Sequence, residues 1–114
     1  MDTTVQIKAI KMEEKRLVKL FTGIEEKKRN AINGLIQRAA FMRVSLQEME
    51  ADLNANGFTE MFAQGDHPAY MRKRPTADLY NSMNTSYQKI MKQLTDLLPK
   101  DDGRTGDGDD FENF

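Results

Sequence analysis

The sequence predicts an all-α protein, an elongated antiparallel bundle of three helices with one very long central helix, a short hairpin before the last helix and a disordered acidic tail. Three observations carry this expectation. Apolar residues at Leu35, Ala39, Met42, Leu46, Met49 and Leu53 alternate steps of four and three, which draws one narrow seam down a helix. A second stripe, Leu79, Met83, Tyr87, Ile90, Met91, Leu94, Leu97 and Leu98, is bracketed by Pro75 and Pro99. The composition, 39% apolar and 31% charged, supplies much exposed helical surface and little deep interior.

A chain of 114 residues holds one domain at most, here a helical domain over 1–99 and a tail over 100–114. The absence of cysteine excludes a disulfide scaffold and a thiolate metal site and suits a reducing cytosol. Met1-Asp2-Thr3-Thr4 opens directly into a charged amphipathic pattern, and apolar runs are only a few residues long. Neither a secretory leader nor a membrane span is expected, so the sequence reads as a soluble, cytoplasmic protein.

The first helix is expected to start at Thr3 or Thr4, with Thr3 and Gln6 at capping-box spacing. Ile7, Ile10, Leu17, Leu20, Phe21 and Ile24 form its apolar side, and Lys8, Lys11, Lys15, Arg16 and Lys19 occupy the rest. Those bases read either as a solvated face paired with Glu13 and Glu14 or as a phosphate-facing surface. Gly23 interrupts the helix, and Thr22 with Glu25 offers a second capping box from which the chain restarts.

The central helix is expected to run from about Ile24 to Asn56, roughly 45–50 Å at 1.5 Å per residue. Its first turns carry Lys27, Lys28 and Arg29, bases that oppose the helix dipole unless Glu25 and Glu26 or an external anion lie close. Ile32, Ile36, Ala40 and Phe41 widen the seam, while Gly34 suggests a close helix approach in preference to a locally loose turn. Gly57 is placed to cap the helix, with Phe58 folding back onto Leu53.

Residues 58–74 break the helical period. Thr59–Ala63 and Ala69–Lys73 around Gln64-Gly65-Asp66 fit a small hairpin better than an irregular loop. His67 has no second histidine or cysteine beside it and reads as a polar turn residue, not a metal ligand. Arg72-Lys73-Arg74 is the densest basic run outside the first two helices, and Pro75 then suits the first position of the last helix. The eight methionines are adaptable packing, not a cofactor box.

The net charge of −1 is unevenly spread. From Asp101 to Phe114 six acids (Asp101, Asp102, Asp107, Asp109, Asp110, Glu112) face Arg104, a net of −5, which leaves 16 bases against 12 acids, a net of +4, over 1–100. A basic body with an acidic tail is compatible with an anionic partner, and +4 is also an ordinary value for a soluble domain. The tail's Asp107, Asp109, Asp110, Phe111 and Phe114 form a candidate peptide for docking on another protein, the alternative being a purely solubilising tail. Asp107-Gly108-Asp109-Asp110 lacks the glycine and glutamate positions of a calcium loop.

No catalytic constellation can be assembled: phosphate-cradling glycine loop, paired histidines and nucleophile elbow are all missing. A non-enzyme without cofactor or metal is therefore expected.

Gly34-Leu35-Ile36-Gln37-Arg38-Ala39-Ala40-Phe41-Met42-Arg43-Val44-Ser45-Leu46, and Tyr80-Asn81 through Lys92-Gln93-Leu94-Thr95-Asp96-Leu97-Leu98-Pro99, resemble the small terminase subunits of tailed phages and prophages, the likeness spanning about Ile10 to Pro99. That resemblance implies a ring-forming homo-oligomer in a bacterial host cell. Its role would be to bind double-stranded viral DNA and deliver it to the large terminase subunit for packaging. The chain departs from many such subunits in lacking a short N-terminal recognition helix. Lys8, Lys11, Lys15, Arg16, Lys19, Lys27, Lys28 and Arg29 are then the first candidates for DNA contact and Arg72, Lys73 and Arg74 the second. Leu35, Ala39, Met42, Leu46, Met49 and Leu53 are the candidate core and oligomer seam. The competing expectation is a helical adaptor that self-assembles without nucleic acid. A DNA-binding regulator ranks third.

Overall fold

The computed structural model describes residues 2–98, so the acidic tail and its Asp107, Asp109, Asp110, Phe111 and Phe114 lie outside the described residues. The elements run α1 (Thr3–Leu20), α2 (Glu26–Asn56), β1 (Thr59–Phe62), β2 (Tyr70–Lys73) and α3 (Pro75–Asp96). This is the architecture expected from the two apolar stripes, hairpin included.

The cap of α1 is Asp2 and not Thr3. An N-cap residue needs extended backbone, which Asp2 has at φ −74° and ψ 165°, and its carboxylate accepts the Val5 N–H at 2.9 Å. Thr3 is already helical. At the other end, Gly23 takes a φ of +79°, and the chain turns through an elbow before restarting at Glu26. The capping box expected from Thr22 and Glu25 does not form, because Glu25 itself occupies the cap position and makes no side-chain cap hydrogen bond.

The helix α2 packs against both α1 and α3. Its buried residues fall in two rows: Ile32, Ile36, Ala40 and Val44 step by fours, while Ala39, Leu46 and Leu53 continue the predicted seam. Leu35, Met42 and Met49 of that seam are half-buried. Two neighbours explain two rows. The largest cluster gathers Leu17, Phe21 and Ile24 from α1 and the elbow, Ile32, Ile36, Ala39 and Ala40 from α2, and Leu94 from α3. All three helices therefore meet at the elbow end. Beyond it α2 and α3 continue as an antiparallel pair to Ala77 and Leu53, both buried. The body measures 66 × 33 × 22 Å with a radius of gyration of 18.7 Å, against about 13 Å for a compact chain of 100 residues.

Gly57 ends α2 at φ +83° and donates its N–H to the Leu53 carbonyl at 2.8 Å. The expected return of Phe58 onto Leu53 is not made, and Phe58 is 58% exposed. The reason is the ψ of 177° at Gly57, which sends the chain outward into β1 instead of curling it back. The strands pair antiparallel, with Met61 opposite Met71 and Glu60 opposite Arg72. Pro75 opens α3 at its first turn as expected. The helix stops at Asp96, where Leu97 N–H is shared between the carbonyls of Gln93 and Leu94 at 3.2 Å.

Gly34 makes no close approach within the chain. A Cβ built there meets no atom within 4 Å, so the helix carries the glycine's entropic cost with no packing in return. Gly34→Ala should raise stability by about 1 kcal/mol, read as a higher Tm. A variant that gains stability but loses self-association would place the Gly34 notch against a neighbouring subunit.

Candidate nucleic-acid interface

The buried side of α1 is fixed by Leu17, fully buried, with Ile10 packed against the same cluster. At 100° per residue, Lys8, Lys11, Lys15 and Lys19 fall within an arc of about 80° on the side opposite Leu17. They form one stripe about 16 Å long. All four are exposed, and among the described residues none makes an ion pair.

Arg16 stands off this stripe and is engaged. Its Nε and Nη2 donate to the two carboxylate oxygens of Glu13 at 2.6 and 2.7 Å, and this hydrogen bonding holds the guanidinium above its ordinary pKa. Of the pairing expected between the first-helix bases and Glu13 or Glu14, this is the bridge that forms among the described residues.

Lys27, Lys28 and Arg29 are exposed at the start of α2, and the expected pairing with Glu25 and Glu26 is not made among the described residues. Glu25 at the cap and Glu26 in the first turn offset part of their charge through space, and the three bases against two acids leave the helix start net positive. Arg29 also lines a cleft of about 340 Å³ at the elbow, together with Val18, Phe21, Ile24, Ile32 and Ile36. Two further exposed bases, Arg38 and Arg43, lie on α2 and make no ion pair among the described residues. As isolated charges in an apolar stretch they gave no sequence signal.

The run Arg72-Lys73-Arg74 has a different employment. Arg72 bonds its cross-strand partner Glu60 at 2.7 Å and lies 3.6 Å from the centroid of the Phe62 ring. Lys73 reaches Asp78 at 3.1 Å in an exposed pair of little energetic weight. Arg74 is a clasp: its Nη2 donates to both oxygens of Asp52 at 3.0 and 2.9 Å, its Nη1 to the Gly57 carbonyl at 2.7 Å, and its backbone N–H to the Phe58 carbonyl at 2.8 Å. One side chain thus ties the end of α2 to the base of the hairpin and the start of α3. Since an isolated two-stranded hairpin is marginal in water, this clasp fixes where it projects. Arg74→Ala should lower Tm and loosen the hairpin, seen as faster amide exchange over 58–74, without altering contacts made by α1.

Hydrogen bonds from Asn56, at 2.6 Å, and from Arg74 lower the pKa of Asp52 below the usual carboxylate value. A folded-state pKa below the unfolded one means that the folded protein favours the ionised carboxylate. The contribution is complete above the unfolded value near 3.9 and is lost as pH falls through the lower folded value. Asp52→Asn should therefore flatten the acid limb of a Tm-against-pH curve.

Among the described residues no three His, Asp or Glu side chains converge to hold a metal ion, and no helix is long and apolar enough to cross a membrane. His67 is exposed in the hairpin turn. Compared with protein-family models, characterised proteins and solved structures, the chain finds no match.

Proposed function

We propose that the protein is a non-catalytic, self-associating DNA-binding subunit that acts in viral genome packaging as a small terminase subunit in the cytoplasm of a bacterial host. The observation that carries the DNA contact is the α1 stripe of four lysines that make no ion pair among the described residues, continued at the elbow by Lys27, Lys28 and Arg29. A linear array of mobile, strongly hydrated ammonium groups suits sequence-independent phosphate contact and is poorly suited to reading base edges. Self-association is supported by the elongated body and by large apolar side chains left exposed on it, among them Val5, Met12 and Phe41 at 50%, 65% and 49%. The packaging role itself rests on the resemblance of the α2 and α3 segments to small terminases. In that role the acidic tail, with Phe111 and Phe114, is the segment offered to the large subunit.

A second reading, a helical adaptor that assembles without nucleic acid, draws on the hairpin. Met61 and Met71 face each other across the two strands at 62% and 59% exposure, an apolar pair presented away from the core. Duplex binding across a salt series separates the two. The DNA reading expects log K to fall with log salt at a slope of up to about −6 for seven contacts. A flat or absent response, with light scattering still showing an oligomer, would leave the adaptor.

A further inference from the structure

The chain leaves the described body at Leu98, and the place where it leaves matters. Leu94 is fully buried in the cluster formed by Leu17, Phe21, Ile24 and Ile32, with Leu97 and Leu98 packed against the same group. The last 16 residues are therefore tethered at the elbow, the end that carries Lys19, Lys27, Lys28 and Arg29, which have no carboxylate partner among the described residues. The same elbow holds the 340 Å³ cleft, lined by the apolar Val18, Phe21, Ile32 and Ile36, the polar Thr22 and Asn33, and the charged Arg29. A cleft with apolar walls, a polar rim and a guanidinium beside it fits an aromatic ring flanked by carboxylates. The tether ends in that chemistry, Asp109-Asp110-Phe111-Glu112-Asn113-Phe114.

We infer that this terminal segment docks on its own elbow, with a phenylalanine ring in the cleft and the flanking acids over Lys19, Lys27, Lys28 and Arg29. Reach is sufficient, because the 13 residues from Leu98 to Phe111 span up to about 45 Å extended. Affinity need not be high. A short tether supplies an effective concentration on the order of millimolar, so a contact that is weak between separate molecules is well populated within one chain. The tail then lies over bases assigned above to phosphate. The docking itself does not depend on the DNA reading.

Zero-length carbodiimide coupling of the full chain, without DNA, tests this directly. Trypsin cuts after Arg104 and releases the tail as residues 105–114, whose acids can be joined only to lysines already in contact. The expected products couple this peptide to Lys19, Lys27 or Lys28, and fall several-fold in high salt and in the Phe111→Ala/Phe114→Ala variant. Lys89, Lys92 and Lys100 are nearer the tail in sequence, so coupling mainly to them would show tether proximity alone and overturn the proposal. Isotope-labelled and unlabelled chains, mixed equally while unfolded and refolded together, give mainly same-isotope products if the contact is within one chain. Mixed products in statistical proportion would assign the cleft to a second copy and also overturn it.

Discussion

Leu46→Asp should abolish the fold. Leu46 is 4% exposed on the row of α2 that carries the seam. Removing the leucine side chain costs about 2–5 kcal/mol as in other buried leucine truncations. A carboxylate in its place must either stay ionised without a partner or take up a proton, which adds several kcal/mol. Against a total stability of about 5–15 kcal/mol for an ordinary domain, the sum leaves little or nothing. The expected result is loss of the helical circular-dichroism signal at neutral pH and failure to assemble. Leu46→Ala should retain the fold with a lower Tm, and Leu79→Asp, at a position 62% exposed, should behave nearly as the parent. A folded and fully assembled Leu46→Asp protein would overturn the packing of α2 on α3.

The contrast between Leu46 and Leu79 also marks what a sequence can and cannot announce. Both sit on clean helical stripes, yet only one is covered, because the body tapers to two helices beyond the elbow and Leu79 lies near that thin end. Periodicity reports which side of a helix is apolar, and partner length decides how much of it is buried. The same limit applies to charge. Arg72, Lys73 and Arg74 read as a basic patch, but their partners Glu60, Asp78 and Asp52 lie up to 22 residues away, brought together by hairpin register and by the return of α3. Conversely, Lys27, Lys28 and Arg29 have glutamates next to them in sequence and no bridge to them in the fold. Glu25 with Lys28 or Arg29, and Glu26 with Arg29, stand at the i+3 and i+4 spacings that favour bridges, but Glu25 sits at the non-helical cap position, so spacing alone did not decide the pairing. The helix spans, the Gly23 break, the hairpin and the Pro75 start were legible because each rests on local backbone chemistry. The exit of Phe58 was not, because it depends on a single ψ at Gly57.

Charge reversal of the α1 stripe is the most direct probe of the proposed function. Replacing Lys8, Lys11, Lys15 and Lys19 with glutamate should leave the fold intact, since all four are exposed and lie opposite the buried face. Each lost phosphate contact takes about 0.9 from the salt slope for duplex DNA, so four take roughly 3.6. New repulsion from four carboxylates deepens the loss, and duplex affinity at low salt should fall by a factor of 100 or more. Fluorescence anisotropy of a labelled duplex across a salt series reads both quantities, with circular dichroism as the check on folding. The Arg72→Gln/Lys73→Gln/Arg74→Gln triple variant is the informative comparison. Those cations are held by Glu60, Asp78 and Asp52, so its damage should fall on stability, with the salt slope nearly unchanged. Were the triple variant to lose DNA while the α1 reversal kept it, the hairpin end would be the nucleic-acid surface. The lysine stripe would then be only a solvated helix face.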